Sequence, residues 1–356
     1  MTDESPSIGN PFFEICQDIS AQPNGVCSHY IKGGFCSLQN HFRCAEYVVR
    51  NEPKLSYSAI DTYSSCHRKF YWSQMVGIES IQKSWAMKLG SCASVILGWL
   101  HDERIPIDQA VQKYRDYIEE LIQQTMDPED SELIYGHIDV WKMKAMFNAY
   151  VKLDLHTVRG ITEYQFKWSE PGFPKVHGYI DLVQLLTYEN HIGFEFKWTS
   201  NADNYTKLTE GDQLITYFLG DPAIERMTLR CFVPPLLRQK NATKKEKGES
   251  MLDLYERMYQ DILSKNIYKY FIDRSFWRSE FDLEAYKIKA SMIAKEIVSY
   301  IKDGGMERFY QNKRACFHPF VCDFLRVCEN EIREPWNMID CYKKRELGRG
   351  EIASLK

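Results

Sequence analysis

The sequence predicts an α/β fold in which helices flank a mixed central sheet. Segments 161–168, 176–188 and 191–199 are rich in β-branched and aromatic residues, a composition typical of consecutive strands. Apolar residues recur at helical spacing on both sides of this region. A helix at about 207–219 and a strand at 227–235 follow, and this order of elements indicates a mixed sheet.

The chain before the sheet turns helical within 56–74, and Ser58 is the predicted N-cap of that helix. A tight turn between the second and third strands is placed at Glu189 and Asn190. The spacing of apolar residues predicts the other helices at 91–101, 107–124, 131–157, 250–265 and 281–303.

Composition bounds the class of protein. The chain has 356 residues, of which 44% are hydrophobic, so a mainly disordered or fibrous protein is excluded. No apolar run is long enough to span a membrane and the polar start is unlike a secretory signal, so we expect a cytoplasmic protein without membrane contact. With a net charge of −4, the chain would bind nucleic acid only through a local basic patch.

Three charged residues on two neighbouring strands form the first candidate site. Alternation along the third strand places Glu195 and Lys197 on one face, and a hairpin would bring Asp181 to that face, roughly opposite residue 197. Two carboxylates can hold Mg²⁺ or Mn²⁺, and a lysine beside them can orient water or stabilise developing charge. The alternative is an ion pair between neighbouring strand residues that has no function.

Neighbouring elements add polar side chains to this trio. Gln213 and Tyr217 are four residues apart on the next helix and share a face, while Glu163 lies on the preceding strand. The segments Gly-Tyr-Ile-Asp (178–181), Glu-Phe-Lys (195–197) and Gln-Leu-Ile-Thr-Tyr (213–217), in this order, resemble the PD-(D/E)XK nuclease superfamily. They are most similar to its RecB-like and AddB-like branch, which includes the CRISPR spacer-acquisition nuclease and phage exonucleases, and 55–72 resembles the helix that precedes the core there.

This resemblance implies a restriction-endonuclease-like core and a Mg²⁺- or Mn²⁺-dependent deoxyribonuclease, with an exonuclease favoured over an endonuclease. Asp181 and Glu195 would be the metal ligands and Lys197 the catalytic lysine. Gln213 and Tyr217 would position substrate or lysine, and Glu163 stands where relatives often carry an acidic residue. DNA ends would be the substrate, in recombination, repair or phage replication, with a helicase, recombinase or single-strand-binding protein as partner. The resemblance also implies a prokaryotic or phage-encoded protein.

The sequence departs from the family at one position. Many relatives carry a metal-binding histidine in a Gly-x-x-x-His pattern, where this chain has Gly90 and Ser94. His101 lies two helical turns further on and is not expected to reach the same metal. The departure supports an alternative function, a catalytically weak subunit that binds DNA ends or structures within a recombination complex.

Eight of the eleven cysteines of the chain are clustered near its two ends, and Cys66, Cys92 and Cys231 lie between these clusters. An odd number without an export signal favours reduced thiols or metal ligation over disulfides. By resemblance to the RecB-like branch, one cysteine before the core and three after it would bind a [4Fe–4S] cluster that ties the ends of a nuclease domain over 54–356. The cysteines in these places are Cys66, Cys316, Cys322 and Cys328. A Cys₄ zinc site or scattered buried cysteines are the alternatives.

The N-terminal segment 1–53 reads as a loop-built module that needs a metal to fold. The spacing Cys27-x8-Cys36, with a lysine-glycine turn at Lys32, is similar to the opening of a CCCH zinc finger. Three thiolates with a further thiolate or imidazole are normal for structural zinc. The fourth ligand is left open between Cys16, His29 and His41, with a preference for Cys16, and a segment without metal is the alternative. The predicted zinc ligands are Cys16, Cys27, Cys36 and Cys44.

Overall fold

A computed structural model gives the fold of the chain. It describes residues 30–31, 35–36, 55–80, 85–125, 131–170, 175–203, 205, 210–241, 248–264, 267–302, 308–317, 321–329 and 341–344. Two compact units are formed by the described residues. The described residues within 1–83, 167–177 and 284–348 form one unit, and those within 84–166 and 178–283 form the other.

The helices of the described residues agree with the predicted pattern to within a few residues at most ends. The principal ones are α1 (Tyr57–Ser65), α2 (His67–Phe70), α3 (Trp85–His101), α4 (Ile107–Thr125), α5 (Ser131–Lys152), α6 (Glu210–Gly220), α7 (Met251–Ser264), α8 (Leu283–Lys302) and α9 (Leu325–Cys328). A π-helical segment, Tyr71–Val76, continues α2, and short 3₁₀ turns lie at Leu155–Thr157, Ile267–Lys269, Arg278–Glu280 and Lys313–Cys316.

Nine strands are described, and five of them form the central sheet. The strands are β1 (Tyr30–Ile31), β2 (Phe35–Cys36), β3 (Ile78–Ser80), β4 (Ile161–Trp168), β5 (Val176–Leu185), β6 (His191–Trp198), β7 (Ile224–Phe232), β8 (Phe271–Trp277) and β9 (Tyr342–Lys344). The central sheet has the order β4-β5-β6-β7-β8; its β6–β7 pair is parallel, and its β5–β6 and β7–β8 pairs are antiparallel. The predicted mixed sheet is therefore confirmed.

The pairing of β5 with β6 corrects one prediction. Leu182 lies opposite Phe194, so the register continued by one residue brings Asp181 to Glu195 and not to Lys197. The cause is the connection: β5 ends at Leu185 and β6 begins at His191, so five residues and not a two-residue turn join them. A shift of two residues keeps every side chain on its face, so the predicted grouping survives.

The first helix corrects another prediction. Ser56, not Ser58, is its N-cap, because the Ser56 hydroxyl accepts a hydrogen bond from the Ala59 amide at 3.1 Å. The helix therefore begins at Tyr57, directly after this cap, and its buried side consists of Ala59, Ile60 and Tyr63.

One face of the sheet is covered by a large apolar core. Phe194 and Phe196 of β6, together with Phe232 of β7, point to this face and pack with buried side chains of α3, α4, α5 and α7. The opposite face therefore carries Glu195 and Lys197, which alternate with Phe194 and Phe196 along β6, as predicted. Within the described helices, none combines the length and the apolar character that a membrane-spanning segment requires.

Candidate active site

Glu195 is the centre of a hydrogen-bond network on the face of the sheet opposite the large core. Its Oε1 accepts from the Lys197 ammonium at 2.7 Å and from the Gln213 amide at 3.0 Å. Its Oε2 accepts from the Tyr217 hydroxyl at 2.9 Å. Because the residue is only 5% exposed, three donors hold a carboxylate that would otherwise be costly to bury. The predicted grouping of Glu195, Lys197, Gln213 and Tyr217 is present in the structure.

Asp181 joins the network through the backbone of the neighbouring strand. Its Oδ2 accepts a hydrogen bond from the Phe196 amide at 2.7 Å. The pairing of β5 with β6 runs from Leu185–His191 to Leu182–Phe194. Beyond that pair, the Phe196 amide donates its hydrogen bond to the Asp181 carboxylate. The two strands thus carry two carboxylates at the point where their ladder ends.

The electrostatics of Asp181 show how close these groups are. Burial of its carboxylate raises its pKa well above the usual range, and the negative charge of Glu195 raises it further. The Lys197 ammonium and the Phe196 amide lower the same pKa but do not reverse the shift. Burial and the neighbouring Glu195 likewise hold the pKa of the Tyr217 hydroxyl well above its usual value, so Tyr217 remains a hydrogen-bond donor.

Two glycines allow α6 to approach the sheet. A Cβ at Gly178 would lie 2.3 Å from the Phe166 ring, and one at Gly220 would lie 2.1 Å from it. Phe166 in turn meets Tyr217 edge-on, with ring centroids 5.5 Å apart. The glycine of the Gly-Tyr-Ile-Asp segment therefore makes room for the ring against which Tyr217 packs.

His101 lies on the other face of the sheet and belongs to the core. It is fully buried, stacks on Phe196 at 5.2 Å, and hydrogen-bonds the Val158 carbonyl and the Tyr150 hydroxyl. Burial lowers its pKa to about 3, so it is neutral, and its Nδ1 carries the proton because the carbonyl can only accept. This agrees with the prediction that His101 does not substitute for the histidine that Ser94 replaces.

A buried cation continues this network. Arg230 donates to both Asp273 oxygens at 2.8 and 2.7 Å and to the Tyr150 hydroxyl at 2.8 Å. Burial opposes the charged guanidinium, but the interactions with Asp273 and Tyr150 together outweigh it and raise the pKa of Arg230 above its usual value. The strand that supplies Asp273, β8, was not predicted from the sequence.

Glu163 has a backbone conformation that is rare for a side-chain-bearing residue. Its φ is 51°, in the left-handed region, although it lies within β4. Its negative charge raises the pKa of Asp181, so its carboxylate lies near the other two acids. A strained residue beside a group of acids is typical of functional sites.

Exchanging Glu163 for glycine and for alanine tests this strain. We expect Glu163→Gly to be more stable to unfolding than Glu163→Ala by about 1 kcal/mol, because only glycine adopts the left-handed conformation without cost. At an ordinary strand position the order is reversed, with glycine the less stable by roughly 0.5–1 kcal/mol. Urea denaturation of both variants measures the difference, and a more stable alanine variant would show that Glu163 carries no strain.

Tyr205 is a site residue that sequence reasoning missed. The Lys197 ammonium lies 5.7 Å from the centre of its ring. Tyr205 is half-buried, donates its amide to the Ala202 carbonyl at 3.1 Å, and packs on a small core of Ala202, Leu229 and Cys231. No sequence spacing indicates this contact, since it depends on the path of the chain after β6.

The cysteines of the predicted cluster lie in one unit, and hydrogen-bond donors face their sulfurs. Cys66 accepts from the Asn312 amide at 3.4 Å and Cys316 from the Gln311 side chain at 3.3 Å. Burial raises the pKa of Cys328 to about 12, while a hydrogen bond from Trp72 lowers it. Burial also raises the pKa of Cys322, which a backbone hydrogen bond from Phe324 lowers. All four are free thiols.

The described residues include no group of three or more His, Cys, Asp or Glu side chains placed to hold a metal ion. The predicted zinc site cannot be compared with the structure. Cys16, Cys27 and Cys44, with His29 and His41, lie outside the described residues, and of Cys36 only the backbone, in β2, is described.

The sequence profile of the PD-(D/E)XK nuclease superfamily matches residues 54–269, more than half of the chain. The matched segment contains Asp181, Glu195, Lys197, Gln213 and Tyr217. A search of curated proteins finds no match.

Proposed function

Because the chain belongs to the PD-(D/E)XK nuclease superfamily, we propose that it is a deoxyribonuclease that depends on Mg²⁺ or Mn²⁺ and acts through Asp181, Glu195 and Lys197. The observation that carries the proposal is the Glu195 carboxylate, which accepts hydrogen bonds from Lys197, Gln213 and Tyr217 while its charge acts on Asp181. An ion pair without function would not need three donors and a second acid.

The donor set suits a hard divalent cation. Burial and, after it, the negative charge of Glu195 raise the pKa of Asp181, and a cation bound by the two carboxylates would relieve their repulsion. Two protein carboxylates are enough for Mg²⁺, which keeps several waters and shares phosphate oxygens with its substrate. Such a site needs no third protein ligand, in keeping with the absence of larger ligand groups among the described residues.

Each residue of the site then has a task in hydrolysis. A bound divalent cation supplies activation of water and neutralisation of charge on the phosphodiester. Gln213 and Tyr217 fix the orientation of Glu195, and the Phe196 amide fixes Asp181. The Lys197 ammonium would donate hydrogen bonds to the attacking water or to the phosphate oxygens, where negative charge develops.

The finer assignment is an exonuclease of the RecB-like branch that works on DNA ends in recombination, repair or phage replication, with a helicase or recombinase as partner. It is supported by the order of the motifs and by the helix α1 before the core. The half-buried Ser94, in place of a further histidine ligand, favours the second candidate, a catalytically weak DNA-binding subunit.

The resemblance to the RecB-like branch supports a [4Fe–4S] cluster on Cys66, Cys316, Cys322 and Cys328. Hydrogen bonds to the sulfur ligands tune such a cluster, and the sulfurs of Cys66 and Cys316 accept hydrogen bonds here. The zinc site at 1–53 stays a prediction.

The test is cleavage of end-labelled single- and double-stranded DNA by protein purified without oxygen, and analysis of its iron content. We expect cleavage that requires Mg²⁺ or Mn²⁺ in the wild type and none in Asp181→Asn. The same substitution should raise the thermal stability of the metal-free protein at neutral pH. Between the ordinary pKa of about 3.9 and the raised pKa of the folded state, Asp181 keeps its proton in the folded chain and loses it in the unfolded chain. The stability of the wild type therefore falls as pH rises through this range.

Added metal should make the wild type more stable than Asp181→Asn. At 100 times its Kd, a bound cation adds about 2.7 kcal/mol to the stability of the wild type and none to a variant that cannot bind it. Equal traces of cleavage from wild type and Asp181→Asn would mean that the chain does not cleave DNA. DNA binding without cleavage would then support the second candidate.

A further inference from the structure

We propose that Tyr205 is a positioning residue that keeps Lys197 in the active site when a divalent cation occupies Asp181 and Glu195. The inference rests on the proposed metal-dependent cleavage and assigns a role that neither the sequence motifs nor the family match gives. It starts from two contacts of the Lys197 ammonium, with Glu195 at 2.7 Å and with the Tyr205 ring at 5.7 Å.

The first partner is the one that a metal disturbs. The ammonium binds Oε1 of Glu195, an oxygen that also accepts from Gln213. A divalent cation on the same carboxylate neutralises the charge that attracts Lys197 and repels the ammonium directly. Gln213 and Tyr217 are neutral donors and are not repelled, so metal binding acts mainly on Lys197.

The second partner is unaffected by that change. The face of a tyrosine ring attracts an ammonium through its quadrupole when the cation lies within about 6 Å of the ring centre. The attraction needs no carboxylate, so it persists when Glu195 is shared with a metal. The Lys197 side chain is 22% exposed, so movement towards water is open to it once it leaves Glu195.

The ring is held where this role requires it. Lys197 lies opposite Cys231 in the parallel pairing of β6 with β7, and Glu195 lies opposite Leu229. Tyr205 packs against the cluster that contains Leu229 and Cys231, and its amide donates a hydrogen bond to the Ala202 carbonyl. The ring therefore stands on the neighbouring strand, beside the lysine and on the same face of the sheet.

The test is the affinity of the full chain for Mn²⁺, measured by titration calorimetry. Tyr205→Phe keeps the aromatic face and should bind Mn²⁺ as the wild type does. Tyr205→Leu should weaken binding about three- to tenfold, because the ring attracts Lys197 more strongly once the ammonium is released from Glu195, and leucine cannot replace that attraction. In a Lys197→Met background, Tyr205→Leu should have no effect on affinity.

This double-substitution cycle separates positioning from packing. Equal loss of affinity with and without Lys197 would show that the ring supports only the fold, and wild-type affinity in Tyr205→Leu would show that it does not act on the lysine; either result overturns the proposal. Should Tyr205→Leu not fold, pentafluorophenylalanine at 205 keeps the ring and reverses its quadrupole, and should weaken Mn²⁺ binding relative to Tyr205→Phe. Equal affinity for these two rings overturns it as well.

The outcomes also distinguish this proposal from the proposed function. A wild type that binds Mn²⁺ and cleaves DNA while Tyr205→Leu shows no change removes only the role of Tyr205. A wild type that does not bind Mn²⁺ removes the proposed function and the role of Tyr205 together.

Discussion

Replacing Lys197 with alanine is expected to lower the rate constant for DNA cleavage by about 10²–10³-fold, the usual cost of removing one preorganised donor to developing charge. In the metal-free chain the ammonium lies 2.7 Å from Glu195 and 5.7 Å from the centre of the Tyr205 ring, so it is already at the site before metal and substrate arrive. Single-turnover cleavage at saturating Mg²⁺ measures the rate.

Metal binding should survive this substitution. Glu195 loses a competing cation and keeps Gln213 and Tyr217, so the affinity for Mn²⁺ should be unchanged or higher. The matched control is Lys167→Ala, which removes an exposed lysine of β4 and should cleave at the wild-type rate. Unchanged cleavage in Lys197→Ala would contradict the assignment of this lysine.

A second large effect is expected on the far side of the sheet. Asp273→Ala leaves the Arg230 guanidinium, whose side chain is 9% exposed, without its carboxylate. We expect a loss of about 2–3 kcal/mol in the free energy of unfolding, somewhat below the ~3–5 kcal/mol of a fully buried pair. The reduction follows because the Asp273 side chain is 42% exposed. Urea denaturation followed by circular dichroism measures the loss.

Two further variants make this expectation specific. Arg230→Met should cost less than Asp273→Ala, because an unpaired Asp273 can reach water whereas an unpaired Arg230 cannot. Arg104→Ala breaks a comparable pair with Asp102 on a side chain that is 76% exposed, and should cost no more than about 1 kcal/mol. Equal losses for Asp273→Ala and Arg104→Ala would show that burial of Arg230 is unimportant.

Much of the site was predictable because its rules are local. Alternation along β6 assigned Glu195 and Lys197 to one face, and helical spacing put Gln213 and Tyr217 on one side of α6; the structure confirms both. The bounds predicted for 161–168 also agree with β4. The error of two residues in the β5–β6 register left these faces unchanged, because side chains alternate with a period of two.

What the sequence could not show depends on the path of the chain in space. The edge strand β8 contains Asp273 and Arg274 in its middle, which hides its strand character until Arg230 is seen to pair with Asp273. The contact of Tyr205 with Lys197 is likewise invisible, because nothing in the spacing indicates that the chain after β6 returns to the sheet. The metal content of segment 1–53 stays a prediction, since its cysteine side chains lie outside the described residues.

The parallel pairing of β6 with β7 has a consequence for the order in which the protein matures. A parallel pair cannot be closed by a tight turn, so the chain must cross over between the strands, and this crossover carries Tyr205, Gln213 and Tyr217. Pairings between distant segments form late in folding, whereas a hairpin such as β5–β6 forms early. A newly made chain can therefore bring its two acids together before the groups that control them arrive. If the proposed function holds, nuclease activity would then mark the completed fold, and a half-folded chain would be inactive.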